Sequence, residues 1–174
     1  ACNTASPIQI GENTVFISAG ENHGCALFEI NTIGNSENLA VKEVWASWGG
    51  KSVMRNEWQT SIRDGDYLFG LDNQGSAGAI TNLCCIDWKT GEQRWIVRRF
   101  GKGNMISADG KLWMSNLDGE FIMAKVDAET YVELGRKKVI DTTRQAPALS
   151  SGHLFLRGKH QVVCLDVRAE SYGK

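Results

Sequence analysis

Arg55-Asn56-Glu57-Trp58 is the stretch of this 174-residue chain best equipped to hold a ligand. An arginine presents a planar fork of donors, an asparagine a donor and an acceptor, and an indole a flat apolar face. Arg55, Asn56 and Trp58 are therefore candidate binding residues, with Arg157 as a fourth. The competing reading packs Trp58 in the interior and leaves Arg55 in water. Metal and acid–base chemistry has weaker footing. Asp64, Asp66 and Asp72 lie close in sequence, as calcium ligands can, but hairpin turns also favour Asp for local hydrogen bonds. His23, His153 and His160 are scattered turn residues without a partner at ligand spacing, and His153 is expected to be exposed. No nucleophile elbow, Walker or dinucleotide fingerprint appears. Gly70 to Gly78 is rich in glycine but precedes a strand, so it is not read as a phosphate cradle. No catalytic residue and no metal ligand is assigned.

The elements that would carry these residues follow a repeat. Asp64-Gly65-Asp66-Tyr67-Leu68-Phe69, Asp109-Gly110-Lys111-Leu112-Trp113-Met114 and Ser151-Gly152-His153-Leu154-Phe155-Leu156 each give a turn glycine, a polar residue and an apolar run. Glu12-Asn13-Thr14-Val15-Phe16-Ile17 reads as a fourth copy with Asn in the glycine position. The spacings are 52, 45 and 42 residues, from 13 to 65, 110 and 152. A second apolar run follows each turn and ends at Asn31, Asp87, Asp127 or Asp166. These runs are short and rich in β-formers, and none of 12 or more residues has a clean helical period. Ala128 to Gly135 is the least strand-like piece, with room for one helical turn. Leu71 to Ala79 reads as a long hairpin loop, and Asn35 to Leu39 as an exposed one. Units of three or four strands at about 40-residue spacing predict an all-β propeller of about four antiparallel four-stranded blades. Approximate boundaries are 5–50, 51–100, 101–140 and 141–174, the last incomplete.

Composition narrows the function classes. Lys and Arg total 19 and Asp and Glu 20, giving a net charge of −1 with no basic stripe, so nucleic acid is not expected as a partner. No apolar run is long enough to be a membrane-spanning helix. Of the five cysteines (Cys2, Cys25, Cys84, Cys85, Cys164), the last four sit in apolar strand-like runs and read as buried thiols. The chain begins at Ala1 and shows no signal peptide, which fits either a removed leader or a fragment.

Cys85-Ile86-Asp87-Trp88-Lys89-Thr90-Gly91-Glu92-Gln93-Arg94-Trp95 resembles the tryptophan-docking repeat of pyrroloquinoline-quinone-type (PQQ-like) β-propellers. Asp87, Thr90, Gly91 and Trp95 occupy the required places. The resemblance implies that Trp95 stacks on a neighbouring blade near a glycine, while Asp87 and Thr90 tie turns together. The next unit keeps Asp127 and Thr130, but Tyr131 stands where the glycine would be. Trp45, Trp95 and Trp113 are read as packing between blades, and Glu92, Arg94, Arg98 and Arg99 as a solvated outer edge. Such propellers close with about eight blades, so the chain is read as the C-terminal half of a ring, with the remainder of the ring as one partner.

This resemblance implies a non-catalytic, exported scaffold, periplasmic or extracellular, for a protein or polymer partner, with no cofactor. An alternative is a fragment of a PQQ-dependent alcohol or sugar dehydrogenase, in which PQQ and calcium would occupy the central channel. Some quinoproteins of that kind carry a vicinal disulfide. Cys84 and Cys85 are adjacent in a strand and point to opposite faces, so they read as two thiols. A second alternative is a carbohydrate-binding module using Trp58 and Trp113.

Overall fold

The computed structural model describes residues 4–33, 38–76 and 80–168. Cys2, residues 35–37 of the loop expected to be exposed, and Gly78 fall outside that set; Leu39 is exposed. Two compact units divide the chain: Ala1–Lys102 with Asp127–Tyr131, and Gly103–Val126 with Val132–Lys174.

The first unit holds two four-stranded antiparallel sheets, each in sequential order. One comprises β1 (Ile8–Gln9), β2 (Thr14–Ala19), β3 (Gly24–Thr32) and β4 (Leu39–Trp48). After a single 3-10 turn at Gly49–Lys51, the other comprises β5 (Ile62–Asp64), β6 (Tyr67–Gln74), β7 (Ile80–Asp87) and β8 (Gln93–Val97). Side chains of the sheets and of the segments that join their strands form one core of Ile10, Phe16, Leu27, Met54, Leu68 and Ile86, with Trp45 and Ile96 at its margin. Burying one such aliphatic or phenyl group contributes about 1.5–3 kcal/mol.

In the second unit, β9 (Gly103–Ala108), β10 (Lys111–Asn116), β11 (Glu120–Lys125) and β12 (Glu133–Lys138) form a four-stranded meander. A three-stranded sheet follows: β13 (Ala148–Ser150), β14 (His153–Arg157) and β15 (Val162–Asp166). Trp113, Ile140, Leu154 and Leu156 make the core of this unit. The outermost strand β12 is exposed throughout.

Turn chemistry fixes the registers. Asp109 and Gly110 both have positive φ, as do Ser151 and Gly152, so two-residue loops of the primed kind join β9 to β10 and β13 to β14. The first hairpin, at residues 12–17, departs from its expected copy. The positive φ falls on Gly11 and not on Asn13, whose side-chain amide instead donates to Asn31. No helical turn forms between Ala128 and Gly135. The Asp127 carboxylate takes the amides of Glu129 and Thr130, and that bend wins over a helix. The glycine-rich loop is shorter than expected because β6 continues through Asp72, Asn73 and Gln74.

Cys25, Cys84 and Cys85 are buried free thiols, whereas Cys164 on the edge strand β15 is exposed, contrary to the expectation for it. Burial pushes Cys25 up to about 11, Cys85 up to about 12, and Cys84 well above the ordinary thiol value. At about pH 8 a thiol reagent therefore labels Cys164 in the folded chain within minutes, and the other three only after denaturation. Mass spectrometry of the labelled peptides reads this; equal rates for Cys84 and Cys164 would refute it. The raised folded values also set a sign. The buried thiols' contribution to stability is whole below pH 9.0 and erodes as pH climbs through about 11 to 12.

Candidate functional site

Residues 52–61 run without a strand partner between the 3-10 turn and β5. Their polar groups must find partners elsewhere, because an unpaired buried donor or acceptor costs about 1–3 kcal/mol. They find them on β6 and β7. Arg55 is 2% exposed. Its Nε and Nη2 donate to the two carboxylate oxygens of Asp72 at 2.6 and 2.9 Å, and Nη1 donates to the carbonyls of Gly49 and Gly50. Asp72 also accepts from Gln74 and Asn82. Asn56 Nδ2 donates to the Leu71 carbonyl, and its Oδ1 accepts from Ser61. Asn73 donates to the Arg55 carbonyl and accepts from Thr81. Gln59 accepts the Leu71 amide. Among the described residues no buried side-chain nitrogen or oxygen lacks a partner.

Both readings of Arg55 therefore need correction. Arg55 is neither solvated nor turned toward a ligand; its donor fork is taken up by Asp72 and two carbonyls. Asn56 is equally consumed. Trp58 is half-buried, with Lys102 Nζ 4.8 Å from its ring centroid and the same ammonium 2.6 Å from Glu57. The sequence held a signal for this network. Asp72 and Asn73 face Asn82 and Thr81 in the β6–β7 register, two polar pairs set in otherwise apolar strands.

The aspartate trio does not assemble. Asp72 lies six positions beyond Asp66 along β6, about 20 Å at strand rise, and Asp66 pairs with Lys89. Among the described residues no three His, Cys, Asp or Glu side chains are placed to hold a metal ion. His153 is half-buried rather than exposed, with Nδ1 3.0 Å from the Ser151 carbonyl oxygen.

The tryptophans sit on main-chain acceptors. Trp45 Nε1 donates to the Trp88 carbonyl at 2.8 Å, and its ring covers Gly91. Gly91 has φ +75, and a Cβ there would stand 2.9 Å from the indole. Asp87 closes this turn by accepting the amides of Lys89 and Thr90, and Thr90 accepts that of Glu92. Trp95 Nε1 donates to the Asp127 carbonyl at 2.9 Å, between Phe69 and Tyr131 with ring centroids 5.9 and 5.8 Å away. The Asp127–Thr130 turn has the same Asp-capped form as the Asp87–Thr90 turn, with Tyr131 under the indole where Gly91 lies under Trp45. Gly91→Ala is expected to cost about 1–3 kcal/mol through the left-handed backbone alone. Thermal unfolding reads the loss, and a change below about 0.5 kcal/mol would contradict the backbone strain. Trp113 is 6% exposed, stacks on Phe121 and donates to the Ala108 carbonyl, so it offers no free face to a sugar. Glu92, Arg94, Arg98 and Arg99 are exposed, Arg94 in a surface pair with Glu129.

Arg157 lies in the second unit and is exposed. With Thr142, Thr143, Arg144, Gln145, Gly158 and Lys159 it lines a cleft of about 310 Å³. Sequence reasoning singled out Arg157 but missed Arg144 and Lys159, which lie in segments without a motif.

No protein-family model matches the chain, and no curated protein is significantly similar to it. Among solved structures, BamB from Moraxella catarrhalis is similar over 93% of this chain and 43% of its own, at 13% identity and a TM-score of 0.63. The computationally designed protein Ika8 is similar over 84% of this chain and 53% of its own, at 9% identity and a TM-score of 0.47, too loose a likeness to argue from. The chain thus spans less than half the length of the BamB chain. With its four antiparallel meander sheets and its likeness to BamB, the chain has an all-β, propeller-like fold.

Proposed function

We propose that this chain is part of a PQQ-like β-propeller that serves as a rigid, non-catalytic scaffold for a protein or polymer partner, in the periplasm or outside the cell. One observation carries the reading. The polar residues that looked fit for ligand work in the first unit are spent on holding its interior together, as the Arg55–Asp72 pair shows at 2.6 Å. What remains for partners is outward-facing surface on short, tightly hydrogen-bonded strands. The likeness to BamB supports the propeller part of the reading; the partner and the compartment rest on the resemblance.

The test uses the whole protein of which this chain is a part. Photo-reactive residues placed at exposed positions on both units, such as Lys51 and Phe155, are expected to give discrete cross-linked adducts in cells. With added pyrroloquinoline quinone and calcium, the same protein is expected to give no dye reduction on alcohols or sugars. Turnover in that assay, or the lack of any adduct from a panel covering the exposed surface, would overturn the scaffold reading.

A further inference from the structure

The cleft at the Arg157 turn has the chemistry of an anion receiver. Arg144, Arg157 and Lys159 bring three cationic side chains to one opening of about 310 Å³. Among the described residues, no carboxylate lies within ion-pair distance of the Arg157 guanidinium or the Lys159 ammonium. The walls, in contrast, are fixed. Thr143 Oγ1 donates to the Arg157 carbonyl at 2.6 Å and accepts the Gln145 amide at 3.0 Å. Asn104 Nδ2 donates to the Arg144 carbonyl and Ser115 Oγ to the Gln145 carbonyl. On the other wall, both oxygens of Asp141 accept main-chain amides, those of Lys159 and His160. A Cβ on Gly158 would collide with the Asp141 carboxylate, so the turn is seated directly on it. The Asp141 carboxylate is thereby engaged with amides, while the Arg157 and Lys159 side chains are exposed. Fixing the walls in advance removes part of the ordering cost of binding.

We propose that this cleft receives carboxylate side chains from an acidic segment of a protein partner. The proposal rests on the scaffold reading and adds the partner's chemistry to it. An opening of this size takes one or two carboxylates and not a polymer backbone. The rest of the chain offers no basic track for a long polyanion, since the net charge is −1. An arginine fork matches a carboxylate in two parallel hydrogen bonds, and the lysine adds a point charge beside it.

The probe is a fluorescein-labelled hexaglutamate peptide, titrated into the full chain at low salt, with hexaglutamine and inorganic phosphate as the other arms. Hexaglutamate is expected to bind, and hexaglutamine not. Arg157→Gln and Lys159→Gln each weaken binding by about two- to fivefold, and the pair by about tenfold, as exposed ion pairs allow. Lys51→Gln, a cation of the first unit, leaves it unchanged. Affinity falls as salt is raised, because exposed charges are screened. Arg157→Lys with Lys159→Arg restores binding at least in part, which a merely structural effect would not do. Circular dichroism keeps the Gln variants comparable with the parent. Equal binding by the double Gln variant overturns the proposal, as does equal binding of hexaglutamine. Competition by phosphate at the peptide's own concentration would make this a phosphate site and would also overturn it. The two readings fail separately. If a cross-linked partner is retained while hexaglutamate binding is insensitive to both substitutions, the cleft assignment fails. If binding is sensitive but no partner is cross-linked anywhere, the scaffold reading fails.

Discussion

Asp72→Ala is expected to lower the stability of the first unit by about 3–5 kcal/mol. The substitution leaves the Arg55 guanidinium, 2% exposed, without its counter-charge. It also takes away acceptors used by Gln74 and Asn82. The cost is mainly that of an uncompensated charge in a dry interior, and only secondarily of lost attraction. That origin gives a second expectation. Arg55→Met with Asp72→Leu removes both charges together, and it should be milder than Asp72→Ala alone, because breaking a buried pair costs more than replacing it. Urea denaturation followed by tryptophan emission measures both, with urea chosen because it does not screen charge. A loss below about 1 kcal/mol for Asp72→Ala would mean that water reaches the guanidinium. A double variant worse than either single one would assign the pair a net stabilising role.

Trp95→Ala is the other large effect, at about 3 kcal/mol or more. The indole lies between Phe69 and Tyr131 and closes on the Asp127 carbonyl, so truncation removes two ring contacts and one hydrogen bond. Trp95→Phe keeps most of the apolar contact and gives up the donor, so it should cost about 1 kcal/mol. The difference between the two variants separates ring packing from the indole N–H. Limited proteolysis adds a local readout: cleavage within 127–131 should accelerate in Trp95→Ala and hardly change in Trp95→Phe. Equal losses for the two variants would mean that ring packing contributes nothing and that the indole N–H carries the whole loss.

The fold was legible where the chain punctuates itself. Gly110 and Gly152 announced their hairpins because a left-handed backbone favours glycine, and an apolar run of β-formers follows each turn. The Asp87-x-x-Thr90-Gly91 turn was legible for a related reason: an Asp carboxylate caps successive amides whatever its surroundings. Such signals are local. The buried network is not. Arg55 meets Asp72 only because residues 52–61 double back on β6, and nothing in an Arg-Asn-Glu-Trp tetrapeptide records that return. Long-range polar pairing is therefore where the sequence reading went astray, taking a charge held inside for one offered outside. Cys164 failed for the opposite reason. Val162-Val163-Cys164-Leu165 is apolar throughout, like a core strand, but β15 is an edge of the three-stranded sheet and exposes every second residue.

The bond between Arg55 and Asp72 also constrains how this protein can change over generations. Any single replacement that removes one of the two charges passes through a chain with a stranded ion in its interior, so the charges can be lost only together. Both residues would then stay fixed among descendants even if no descendant ever bound anything there. Persistence at these two positions would record a barrier between neighbouring genotypes, and a search for ligand sites by invariance would be drawn to them for that reason alone.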